Sequence, residues 1–148
     1  MKKLSLILVI LFFYTINITK AQAPAIEWKN LIGGISNDCL YYVRQTADGG
    51  YILGGTSNSG MSGDKTEANK GRSDYWVIKL DGIGNIKWQK TIGGNSWDEL
   101  YSIQQTIDGG YILGGDSRSE MSGDKTEANK GNSDYWVIKL SPDFYPSD

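Results

Sequence analysis

Hydrophobic and polar residues alternate along this chain in short bursts separated by glycine-rich turns. In Ile86–Ile92 (IKWQKTI), Ile86, Trp88 and Ile92 fall on one side and Lys87, Gln89 and Thr91 on the other. That period of two predicts a strand with one wet face. Residues 100–106 (LYSIQQT) and 111–115 (YILGG) flank Asp108-Gly109-Gly110, whose glycines supply the positive φ angles of a tight antiparallel hairpin. Asp134–Leu140 (DYWVIKL) is apolar on both sides, with Tyr135 and Val137 on one and Trp136, Ile138 and Leu140 on the other. A strand of this kind, Trp136 included, is expected to be covered on both faces. No segment beyond the N-terminal leader shows a helical period.

The same pattern occurs twice. Residues 26–80 recur as residues 86–140 at a constant offset of 60, with 40 of the 55 aligned positions identical. Trp28 matches Trp88, Asp48-Gly49-Gly50 matches Asp108-Gly109-Gly110, and Asp74-Tyr75-Trp76 matches Asp134-Tyr135-Trp136. A fixed period of this length is the mark of a repeat architecture. Each unit reads as residues 39–46 innermost, Tyr51–Ser57 second, Asp74–Leu80 third and Ile86–Ile92 outermost, with a polar insertion at residues 58–73. Four antiparallel strands per repeat, stacked face to face, make the blade of a β-propeller.

The expected fold is therefore all-β: two tandem four-stranded antiparallel propeller-blade-like repeats. Residues 26–32 form an unattached outer strand at the start, and the second repeat lacks its outer strand. Because a closed propeller needs about four to eight blades, three arrangements stay open: a portion of a longer array, a ring completed by several copies, or a compact sandwich of two repeats.

The first residues have a different pattern. Lys2 and Lys3 precede an apolar run at residues 4–14, followed by small residues at Thr19 and Ala21. This is the layout of a cleavable secretory signal peptide. It gives a leader at residues 1–21, cut after Ala21, and a repeat region at residues 22–148. Losing Lys2, Lys3 and Lys20 moves the formal charge from −2 to −5. That acidity argues against a nucleic-acid partner, and no later stretch is apolar enough to span a membrane. The single cysteine, Cys39, is matched by Glu99, so no disulfide within the chain is possible and the fold does not require the thiol.

The motif W-x-K-x-x-GG…D…T-x-DGGYILGG-x-S…SDYWVIKL…G-x-I-x-W resembles bacterial secreted β-propeller repeat proteins, and is similar to repeat arrays in type IX secretion system cargo. It is carried by Trp28/Trp88, Asp48/Asp108, Gly49-Gly50/Gly109-Gly110 and Asp74-Tyr75-Trp76/Asp134-Tyr135-Trp136. The resemblance implies export to the cell surface or beyond, and says little about activity. Family members usually carry more repeats and a C-terminal sorting domain, neither of which is present in this sequence.

Candidate chemistry is sparse. The chain has no histidine, which excludes Ser-His-Asp and Cys-His nucleophile activation. The insertion SGDKTEANKG appears unchanged at residues 62–71 and 122–131. Its Asp64, Glu67 and Asn69, with Asp124, Glu127 and Asn129, are oxygen ligands of the kind calcium takes; a solvated loop with aspartate capping its turns is the simpler reading. Trp97 and Arg118 differ from their counterparts Asn37 and Asn58 in otherwise fixed surroundings, which makes them candidates to bind a sugar or protein ring; simple divergence between the repeats is the plainer reading. The expected function is a secreted or surface-located, non-enzymatic structural or ligand-binding module. The alternatives are a lectin-like ring of two-blade subunits and a non-catalytic portion of a secreted hydrolase.

Overall fold

The computed structural model describes residues 21–142, so the leader lies outside the described residues apart from Ala21. All the regular structure in that range is β. Strands β1 (Asp38–Gln45), β2 (Tyr51–Ser57), β3 (Asp74–Leu80) and β4 (Ile86–Ile92) form one antiparallel sheet in the order β1-β2-β3-β4. Strands β5 (Asp98–Gln105), β6 (Tyr111–Ser117) and β7 (Asp134–Leu140) form a second sheet in the order β5-β6-β7. The two registers correspond residue for residue at the offset of 60: Leu53 pairs with Ile78, and Leu113 with Ile138.

The β1–β2 and β5–β6 hairpins close as their Asp-Gly-Gly sequences require. Gly49 and Gly109 have φ angles of 81° and 84°, a region costly for residues that carry a Cβ. In the first hairpin Asp48 accepts hydrogen bonds from the Thr46 hydroxyl, the Gly50 amide and the buried ammonium of Lys79. The strand thus turns and is tied to β3 by one side chain.

The sheets stack through a shared core. Tyr75, Val77 and Ile52 of the first sheet meet Leu100, Ile103, Tyr111 and Leu113 of the second. Gly54 makes room for this contact: a Cβ there would lie 2.9 Å from Ile103 Cγ2 and 3.0 Å from Leu100 Cδ2. Aromatic pairs cross the same junction, with Tyr75 and Trp136 centroids 5.3 Å apart and Trp88 and Tyr111 centroids 5.8 Å apart.

Three expectations need correction. Residues 26–32 form no strand; among the described residues this β4-like segment pairs with no β3-like neighbour, and it lies instead against the first sheet, with Trp28 packed on Tyr51 and Asn30 bonded to the Gly84 carbonyl. The outward side of β4 is not wet throughout: Thr91 is buried because the 58–73 insertion folds over it. Finally, β3 is covered on both faces but β7 on one only. Tyr135 and Val137 are exposed and Trp136 is half-buried, because no third sheet among the described residues covers the side of β7 that faces away from β3.

Candidate functional site

The polar insertion is an ordered strap. Its tight bridge between Ser62 and Lys65 turns the chain back toward the sheet edge. Glu67 Oε2 accepts the Thr91 amide at 2.5 Å, Gln89 donates to the Asp64 carbonyl, and the Lys70 ammonium reaches the Thr91 carbonyl at 2.7 Å. Backbone groups of the edge strand β4 are thereby paired, which protects an edge otherwise open to association. The ammonium of Lys65 is enclosed, bonded to Thr91 Oγ1 and the Glu67 carbonyl. Burial pushes its pKa below the usual lysine range, against the opposing pull of Asp74, Asp38 and Glu67.

Contacts of this kind engage the side chains of five of the six calcium candidates, and Glu127 takes part through its backbone carbonyl. Asp64 accepts the Gly33 amide, Glu67 the Thr91 amide, and the Asn69 amide donates to the Ser57 carbonyl. In the second repeat Asp124 accepts the Gly93 amide and Lys70, while Asn129 Oδ1 and the Glu127 carbonyl both accept from Lys125. Asp64, Glu67 and Asp124 thus accept backbone amides and Asn129 Oδ1 accepts Lys125, while Asn69 Oδ1 is buried without a partner among the described residues. Among the described residues no group of three or more His, Cys, Asp or Glu side chains is placed to hold a metal ion.

Trp97 and Arg118, in contrast, are brought together. The Arg118 amide donates to the Trp97 carbonyl at 2.8 Å, and the guanidinium lies 5.8 Å from the indole centroid. A third residue joins them: Arg72, whose guanidinium sits 4.3 Å from the same indole. It is delivered by the junction between repeats, where Arg72 donates its amide to the Ser96 carbonyl, Asp98 donates to the Ser73 carbonyl, and Ser73 and Trp97 form a parallel bridge. Both arginines are exposed and the indole is half-buried.

Arg72 was not read as a site residue from sequence, because it belongs to the first repeat and Trp97 and Arg118 to the second. A signal did exist: Arg72 stands opposite Asn132, so all three cluster residues fall among the 15 aligned positions at which the repeats differ. Guanidinium groups near an indole gain a cation–π attraction and still present N–H donors that match carboxylate or sulfate oxygens. The patch suits an anionic group attached to a ring or an apolar body. Cys39 is exposed and unpaired with another cysteine, and no helix among the described residues is long and apolar enough to cross a membrane.

No protein-family model matches the chain, and a search of curated proteins finds no match.

Proposed function

We propose that this chain is an exported β-propeller-type repeat module, non-enzymatic, that binds an acidic glycan or an acidic protein group at the junction between its repeats. The export reading rests on the leader at residues 1–21. The propeller reading is supported by the four-stranded order β1-β2-β3-β4 and by sheets that stack front face on back face. The observation that carries the binding reading is the convergence of Arg72, Trp97 and Arg118, three repeat-specific residues, on one exposed spot of an otherwise duplicated molecule.

The test uses the chain's own alternatives. Trp97→Asn, Arg118→Asn and Arg72→Asn each install the residue carried by the other repeat. Binding of sulfated and uronate-bearing oligosaccharides, and of acidic peptides, is followed by calorimetry and tryptophan fluorescence. The expected result is salt-sensitive binding that each substitution weakens at least tenfold with unchanged circular dichroism. Undiminished binding in the triple variant would overturn the assignment.

A further inference from the structure

The offset of 60 residues makes the interface between the sheets a template for a second interface that the described residues leave uncovered. Each residue buried between the sheets has a counterpart on an outer face. On the far side of the second sheet, Tyr135 and Val137 are 95% and 63% exposed, whereas Tyr75 and Val77 are fully buried. On the far side of the first sheet, Leu40 and Val43 are 58% and 53% exposed, whereas Leu100 and Ile103 are enclosed. Gly54 is the socket for Ile103 and Leu100; its counterpart Gly114 has nothing within 4 Å of a Cβ position. Asp116, at the place where Thr56 accepts the Leu100 amide, has an inaccessible Oδ1 without a partner among the described residues.

Among the described residues the second sheet has three strands, β5-β6-β7, and the slot of a fourth is visible. A cavity of about 390 Å³ lies between the second insertion and β7, lined by Thr126, Glu127, Tyr135, Trp136 and Val137. In the first repeat the corresponding space holds β4, gripped by Glu67 at the Thr91 amide. The segment equivalent to β4 is residues 26–32, and it is already held in the posture the slot needs. Trp28 meets Tyr51 edge-on at 5.6 Å and 63°, as Trp88 meets Tyr111 at 5.8 Å and 66°. Asp64 accepts the Gly33 amide at 3.1 Å, as Asp124 accepts the Gly93 amide at 3.1 Å.

We propose that a second copy of this chain docks on the open face of β5-β6-β7, stacking its first sheet there and inserting its 26–32 segment as the missing fourth strand. The proposal rests on the propeller-type reading above. Transferring the β3–β4 register by the offset pairs Tyr135 with Ile32, Val137 with Asn30 and Lys139 with Trp28 of the second copy. Lys130 then meets Asp64 of the second copy, as Lys70 meets Asp124 at 2.5 Å within the chain. The sequence differences at the slot are accommodated in part. Leu31, 99% exposed, replaces Thr91, and Lys125 no longer needs that hydroxyl because it takes Asn129 Oδ1 at 2.8 Å. Lys29 replaces Gln89 and leaves the Trp136 indole N–H without the acceptor Trp76 has. The contact is head-to-tail, so repeated copies either close a ring or form a filament. About four to eight blades close a propeller, which selects a ring of about two to four copies.

The experiment is sedimentation equilibrium of the full chain as exported, with Gly114→Val and Lys130→Glu alongside. A closed species of about two to four copies, reduced to monomer by Gly114→Val and weakened by Lys130→Glu, is the expected result. Asn30→Cys with Val137→Cys, on a Cys39→Ser background, is expected to form a disulfide between copies, whereas Leu31→Cys with Val137→Cys does not. A folded monomer at tens of micromolar, or an oligomer indifferent to both substitutions, overturns the proposal. If that monomer keeps its tryptophan near-ultraviolet signal and binds ligand at Trp97, the module reading survives. Loss of both signals would sink the stacking scheme as a whole.

Discussion

Asp48 and Asp108 show how one side chain serves both turn and sheet. Each accepts a bond from a strand lysine, Lys79 or Lys139, as well as from a neighbouring threonine hydroxyl and a glycine amide. The Lys79 bond, then that of Thr46, holds the Asp48 carboxyl at about 2, and the Lys139 bond keeps Asp108 well below the usual carboxylate range. Both acids ionise more readily folded than unfolded, where an aspartate titrates at about 3.9. The stabilisation from Asp48 is therefore complete above about pH 4 and is lost as the pH falls through about 2, while that from Asp108, held lower still, is lost in more acid solution. Acid titration of thermal stability is expected to show these losses, and Asp48→Asn with Asp108→Asn to flatten them. An unchanged acid limb in the double variant would remove the assigned role. The Asp-Gly-Gly turns were legible in sequence because their chemistry is local. The partnership with Lys79 was not, since it joins residues 31 apart.

At the level of elements, the seven strands fall within a residue or two of where alternation and glycine punctuation placed them. The insertion did not follow its composition. It is polar, yet Lys65 is buried and Glu67 grips β4. The cause is tertiary: an edge strand exposes unpaired amides and carbonyls, and the nearest polar loop satisfies them. The duplication provides a control. Glu67→Ala removes a charge-assisted bond to the Thr91 amide and is expected to cost about 1.5–3 kcal/mol, with faster hydrogen exchange at Thr91. Glu127→Ala removes no such bond within one chain, and its unfolding midpoint should stay near that of the parent in a monomeric background. Equal losses from the two substitutions would mean that the strap does not act through β4.

For the whole molecule, identical segments meet different fates according to what lies beside them. Leu100 is buried between the sheets, whereas its identical counterpart Leu40 faces outward. Leu100→Ala is expected to cost about 2–5 kcal/mol in denaturant unfolding. Leu40→Ala should stay within about 0.5 kcal/mol in the monomer. Comparable costs for the two would contradict the stacking order. The same logic formed the candidate site. Arg72 sits apart from Trp97 and Arg118 in the sequence repeat and joins them because one repeat's insertion exits beside the next repeat's first strand.

The amino-acid sequence alone determined the strands, their antiparallel hairpins and the duplication, because alternation, turn glycines and a constant offset are local or self-similar features. Only tertiary structure decided which copy of each apolar face is covered, which polar side chains are enclosed, and which repeat-specific residues meet. Identical DYWVIKL segments carry identical local information; burial depends on the neighbouring sheet, and among the described residues that neighbour is present for β3 and absent for the outer face of β7.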